Sequence, residues 1–122
     1  MADTSRRLAG LAWLTVDGVA YPVVSDPNWR VATVTRETLV SMGAVDGFKE
    51  TIVPGFIEAT IRDTAGTKVA GFQDFTSVSV TMRLASGKQV SGVGMWTTEA
   101  AEVNSAEATF KVRFEGEQVE EI

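Results

Sequence analysis

Apolar and polar residues alternate along several short stretches of this chain, and a period of two marks β-strands rather than helices. The clearest stretch runs from Thr76 to Ala85. Val78, Val80, Met82 and Leu84 fall on one face there, and Ser77, Ser79, Thr81 and Arg83 on the other. The apolar face suits a core. The opposite face carries small hydroxyls in place of the Lys and Glu that usually cover a solvated sheet, which suits a smooth, wet surface.

The same period predicts a first strand from Leu11 to Val16, an Asp17-Gly18 hairpin turn, and an answering strand from Val19 to Val24. A long strand is predicted from Trp29 to Val40, rich in threonine, with Arg36 and Glu37 projecting to opposite sides. Gly43, Gly47 and Pro54 make residues 41–55 read as a long inter-strand loop, and loops of that length in a compact domain are usually functional or disordered. Phe56 to Arg62 alternates again, with Ile57, Ala59 and Ile61 inward and Glu58, Thr60 and Arg62 on the polar face.

Val69 and Phe72, three apart behind the candidate caps Asp63, Thr64 and Thr67, predict one short helix from Thr67 to Asp74, although Gly71 weakens it. Thr76 to Ala85 then joins Lys88 to Thr97 through the two-residue turn Ser86-Gly87. Gly92 and Gly94 mark a bulge or the close approach of another backbone. A last strand, Ala108 to Phe114, turns Ala108, Phe110, Val112 and Phe114 inward and Thr109, Lys111 and Arg113 outward. The sum is a single mainly β (α+β) domain over residues 1–122, a sandwich or half-barrel of about six to seven strands with one short flanking helix.

Composition narrows the chemistry. Among 122 residues there is neither cysteine nor histidine, which removes disulfides, thiolate nucleophiles, the commonest general base and most zinc and copper sites. No phosphate-binding loop, dinucleotide fingerprint or nucleophile elbow is present. Glu58 and Asp63 form a nominal carboxylate pair, but Glu58 shares its strand face with Thr60 and Arg62 and reads as part of a surface ladder. Trp13, Trp29, Trp96 and Tyr21 are candidates for a ligand pocket, for the core or for a subunit contact. The chain reads as a non-enzyme without cofactor or metal.

The net charge of −5 is uneven: residues 1–98 balance, while Glu99, Glu102, Glu107, Glu115, Glu117, Glu120 and Glu121 face only Lys111 and Arg113 beyond them. Such an end repels a phosphate backbone, and residues 116–122 read as an acidic, partly disordered tail. Arg6-Arg7 before Leu8 to Leu14 imitates an export signal, but the apolar run meets Thr15 and Asp17 without a cleavage site and is too short to cross a membrane. Residues 1–8 therefore read as an N-terminal arm of a protein made in the cytoplasm.

Five segments, in this order, resemble the tail tube proteins of Mu-like contractile-tailed phages: Arg36-Glu37-Thr38, Asp46 to Thr51, Phe56 to Thr64, Leu84 to Lys88 and Ala108 to Gly116. The likeness spans nearly the whole chain, departing at Thr64-Ala65-Gly66, where the family commonly shows Thr-Gly-Gly. It implies a hexameric ring whose subunits complete one β-barrel around a lumen. Stacked rings would form the inner tube of a contractile virion tail, made in the host cytoplasm and used for genome ejection. The implied partners are the chain itself, the sheath, tape-measure, baseplate and tail terminator proteins, with DNA passing through unbound and no membrane contact.

Under that resemblance the 41–55 segment is the expected clasp between subunits or rings, anchored by Phe48, with Arg36, Glu37, Asp46, Lys49 and Glu50 as contact residues. Ser77, Ser79, Thr81 and Arg83 are the expected bore lining, with Glu58 as a further candidate. A tailocin or type VI-like secretion tube needs the same barrel, and a monomeric lipocalin-like ligand binder is the remaining alternative.

Overall fold

The computed structural model describes residue 6 and residues 10–122, so the arm expected over residues 1–8 lies, Arg6 apart, outside the described residues. In chain order the elements are β1 (Trp13–Val16), β2 (Val19–Arg30), β3 (Thr33–Ser41), β4 (Ala44–Val53), β5 (Gly55–Arg62), α1 (Val69–Gln73), β6 (Val78–Arg83), β7 (Gln89–Thr97), β8 (Val103–Asn104), β9 (Thr109–Gly116) and β10 (Gln118–Glu121).

Six strands close into a barrel in the order β7-β6-β1-β2-β5-β9, with β9 returning to pair with β7. All the pairings are antiparallel. Closure removes the free edges that an open sheet would present. The alternating strands place their apolar sets inside: Leu14 and Val16, Ile57, Ala59 and Ile61, Val78, Val80 and Met82, and Phe110, Val112 and Phe114 are all buried. The β1–β2 turn is the expected one, with Asp17 at φ 47° and Gly18 at φ 86°, the two left-handed residues that a type I′ hairpin requires.

The helix is shorter than expected and uncapped by any side chain. Lys68 occupies the N-cap, and the Thr67 hydroxyl instead meets that of Thr64 at 2.9 Å. Tertiary packing holds it. Phe72, its one buried residue, makes edge-to-face contacts with Tyr21, Phe75 and Phe110 at 5.2, 5.5 and 5.4 Å between ring centres. Such pairs add about 0.5–1.5 kcal/mol each beyond area burial.

Several expectations are corrected. Residues 41–55 are not a loop, because β4 occupies most of them and pairs with β3 along its length. The expected strand Trp29 to Val40 is broken at Val31 and Ala32, where the chain leaves the barrel and the Ala32 N–H donates to the Val119 carbonyl at 3.1 Å. The acidic end is not a loose tail: β10 carries on the β9–β7 pairing in the same register, with Trp96 opposite Glu115 and Val93 opposite Gln118. Val119 is buried in the core cluster, which is why the segment stays on the barrel despite its charge. The β6–β7 turn holds three residues rather than two, closed by the Leu84 N–H to Lys88 carbonyl bond at 2.9 Å. The Gly92 region does carry a register shift opposite Val78 and Val80, but what crowds Gly92 is the Met95 side chain, not another backbone.

Candidate functional site: a hairpin arm, its root cleft and a charge cluster

Strands β3 and β4 form a two-stranded sheet of their own, separate from the barrel. At about 3.3 Å per residue, their nine paired positions extend roughly 30 Å. Among the described residues, both edges are open along that length. Isolated two-stranded hairpins are marginal in water, and open edges invite further pairing.

Register divides the arm into two faces. Val34 with Ile52, Arg36 with Glu50, and Thr38 with Phe48 share one face; Thr33 with Val53, Thr35 with Thr51, and Glu37 with Lys49 share the other. A shift after Leu39 leaves Asp46 as an extra residue, and its carboxylate accepts the Ser41 hydroxyl at 2.9 Å. Arg36 reaches Glu50 at 3.4 Å and stands 5.5 Å from the Phe48 ring centre, while Lys49 reaches Glu37 at 3.0 Å on the reverse face. The six residues expected to make contacts are thus gathered on one element. Four of their charges are paired across the arm, Asp46 holds only the Ser41 hydroxyl, and the apolar groups are left open to solvent: Met42, Val45 (74 % exposed), Phe48 (58 %) and Ile52.

A cleft of about 740 Å³ opens where the arm leaves the barrel, lined by Val34, Ile52, Pro54, Trp96 and Glu117 among others. Trp96 and Glu117 also border a second, more polar depression with Val93 and Gln118, so the two adjoin along β7. Residue reading missed Met42, Val45 and Ile52 as surface groups. Their signal was there, in apolar residues scattered through a span otherwise rich in glycine and charge.

The expected bore residues lie on the outside of the barrel. Ser79, Thr81 and Arg83 fall on the outer face of β6, next to Trp13, Thr15 and Ala20, while Ser77 is exposed just before the strand. Ser79 is fixed through its main chain, donating its N–H to the Asp17 carboxylate at 2.8 Å. Glu58 lies elsewhere. Strand β5 is separated from β6 by β2 and β1, and the Glu58 side chain is nearly buried rather than surface-solvated.

Glu58 is the centre of a charge cluster on the outer face of β2, β5 and β9. Its carboxylate meets Arg113 Nη1 at 2.9 Å, Asn28 Nδ2 at 3.2 Å and Lys111 Nζ at 3.6 Å. Arg113 Nε in turn donates to Glu115 at 3.2 Å, and the guanidinium lies 3.9 Å from the centre of the Phe56 ring, whose other neighbour is Arg30 at 4.8 Å. Burial acts to lower the Arg113 pKa. The hydrogen bonds to Glu58 and Glu115 and their charges outweigh it, and hold the group above its ordinary value.

The four aromatic candidates for a ligand site are dispersed. Tyr21 packs on Phe72, Trp29 lies under the Lys88 ammonium, Trp96 borders the cleft and Trp13 sits on the outer face of β1. The barrel interior is filled by Phe110, Phe114, Leu14, Ile57, Ile61, Met82 and Met95.

A packed barrel bearing a long, open-edged, partly apolar arm is built to join others, and comparison with known proteins agrees. No curated protein matches the chain. A family model described as phage tail tube protein matches residues 5–121, and the chain therefore belongs to the phage tail tube family.

Proposed function

We propose that this tail tube subunit assembles as hexameric rings that stack into the inner tube of a contractile tail and conduct the genome during ejection. The observation that carries the reading is the arm: a hairpin with two free edges and exposed Met42, Val45, Phe48 and Ile52 gains stability only when another chain covers it. Arg36, Glu37, Asp46, Lys49 and Glu50 flank those apolar groups and fix orientation more than affinity.

The lumen wall, on this reading, is the outer face of β6 and its neighbours. Ser77, Ser79 and Thr81 line it with small hydroxyls that give DNA little to hold, as the interior of a large barrel does, while Arg83 is the one cation among the four and a contact for passing phosphates. Glu58 has its partners within its own subunit and contributes to the wall only if contact with a neighbour opens that cluster. The sheath is the partner expected outside the tube, the tape-measure protein inside, and baseplate and terminator proteins at the ends.

The test is electron microscopy of the purified protein beside a variant lacking Val45 to Thr51. Stacked six-fold rings from the intact chain and none from the deletion are expected. Normal tubes from the deletion would remove the arm from the assembly.

A further inference from the structure

We propose that the apolar tip of one arm seats in the cleft at the root of the arm of the next copy, giving a tip-to-root contact that propagates. The inference rests on the tube reading and adds to it the surface that receives the arm.

The tip, Val40 to Val45, and the root, Val34 and Ile52, occupy opposite ends of one hydrogen-bonded ladder. Roughly 25 Å separates them at ordinary strand rise, and the ladder cannot fold back on itself. No arm can fill its own cleft. The two surfaces match in chemistry: Met42, Val40 and Val45 project from the tip, while Val34, Ile52, Pro54 and Trp96 wall the cleft, and Trp96 remains 39 % exposed. A cleft of about 740 Å³ has room for several aliphatic side chains.

A second copy is the occupant, because tip and cleft both belong to this chain and cannot meet within one molecule. Copies carrying −5 each repel, and residues 33–53, with two cations against three acids, share that acidity, so the contact has to be held by apolar burial. Arg36 and Lys49 have their acidic partners within the arm and Asp46 accepts the Ser41 hydroxyl, so the match between tip and cleft is apolar rather than ionic. Donor and acceptor surfaces at opposite ends of one element make the contact heterologous, and such contacts extend into filaments unless rotation closes them. Family membership in tail tubes supplies the open-ended assembly in which this happens.

The chain has no cysteine, which makes cross-linking clean. Val45→Cys at the tip and Ile52→Cys at the root are both exposed and outside the barrel core. Assembled samples of each single variant, their mixture and the double variant are oxidised and run without reductant, with microscopy in parallel. The expected result is a disulfide dimer in the mixture that neither single variant forms, and a ladder of covalent oligomers in the double variant. Tubes that give only tip-to-tip dimers, or no link, overturn the tip-to-root contact and leave the tube reading standing. A double variant that stops at dimers overturns propagation, because a reciprocal pair closes on itself. Absence of any rings or tubes at high protein concentration overturns the tube reading and this inference with it.

Discussion

Gly55 and Val119 share one space: a Cβ built on Gly55 comes 2.5 Å from the Val119 Cβ and 2.9 Å from the Ala32 nitrogen. The contact brings together the root of the arm, the start of β5 and the acidic segment. Gly55→Ala is therefore expected to cost about 1–3 kcal/mol, the usual price of overpacking a filled site, read as a lower denaturant midpoint. Adding Val119→Gly, which removes both side-chain atoms that the new Cβ meets, should make the pair cost less than the sum of the two single changes. A stable single variant would mean that β10 shifts freely, contrary to its register on β7.

Glu58 is 7 % exposed and holds Asn28, Lys111 and Arg113 together. Glu58→Ala leaves the Arg113 guanidinium without its main acceptor, at an expected cost of about 3 kcal/mol. Glu58→Gln should cost less, because one hydrogen bond survives. Equal losses would show that the carboxylate's charge, not its shape or the surviving hydrogen bond, is what matters here.

Arg113 has a raised pKa in the folded chain. Its stabilisation is therefore complete at every pH below the unfolded value and is lost only as pH rises through the folded one. Melting of the wild type and of Arg113→Met between about pH 7 and 9 should show a constant gap between the two, since guanidinium stays protonated there. A gap that narrows across that window would assign the effect to another group.

Phe72 is the one buried residue of α1 and touches Tyr21, Phe75 and Phe110. Phe72→Ala is expected to cost about 3–5 kcal/mol, the range for emptying an aromatic core site. The helix should fray in the same variant, because no side-chain cap holds it, and amide hydrogen exchange over residues 68–74 would report that loss.

Replacing residues 33–53 with a two-glycine turn should leave the barrel folded, because the arm forms a sheet of its own. Near-ultraviolet circular dichroism would stay close to that of the intact chain while self-assembly is lost. A molten product would mean that the arm supports the barrel it springs from.

The barrel strands were legible because each has one buried face, and burial on one face writes itself as alternation: Val78, Val80 and Met82 in β6, Phe110, Val112 and Phe114 in β9. Only half of the arm was: β3, but for Ser41, falls within the expected strand Trp29 to Val40, whereas both faces of β4 meet solvent in the single chain and no core imposes a period on it. Gly47 and the extra residue Asp46 blur what pattern remains. The break at Val31-Ala32 carries no glycine or proline and is set by a long-range bond to Val119. In the acidic end, one apolar residue among glutamates outweighs the composition around it. The residues expected to make contacts, Arg36, Glu37, Asp46, Phe48, Lys49 and Glu50, fall on one hairpin, but the pairing among them was hidden until β4 was seen as a strand. Glu58 looked solvated because sequence cannot show which cations come from β9.

The barrel and the arm differ in how far apart along the chain their partners lie. Val16 pairs with Val80 and Ile57 with Phe114, whereas Ser41 pairs with Ala44. Pairings of high sequence separation form slowly, over milliseconds to seconds, while a hairpin closes in microseconds. The arm, like the β1–β2 hairpin that closes Val16 on Val19, is thus able to form early, but it is the last to be stabilised, since the described residues outside it leave its apolar groups exposed. During that interval its apolar residues are exposed beside unclosed barrel strands, so the rate of barrel closure, more than the strength of the arm, sets the protein concentration at which refolding yields tubes rather than aggregate.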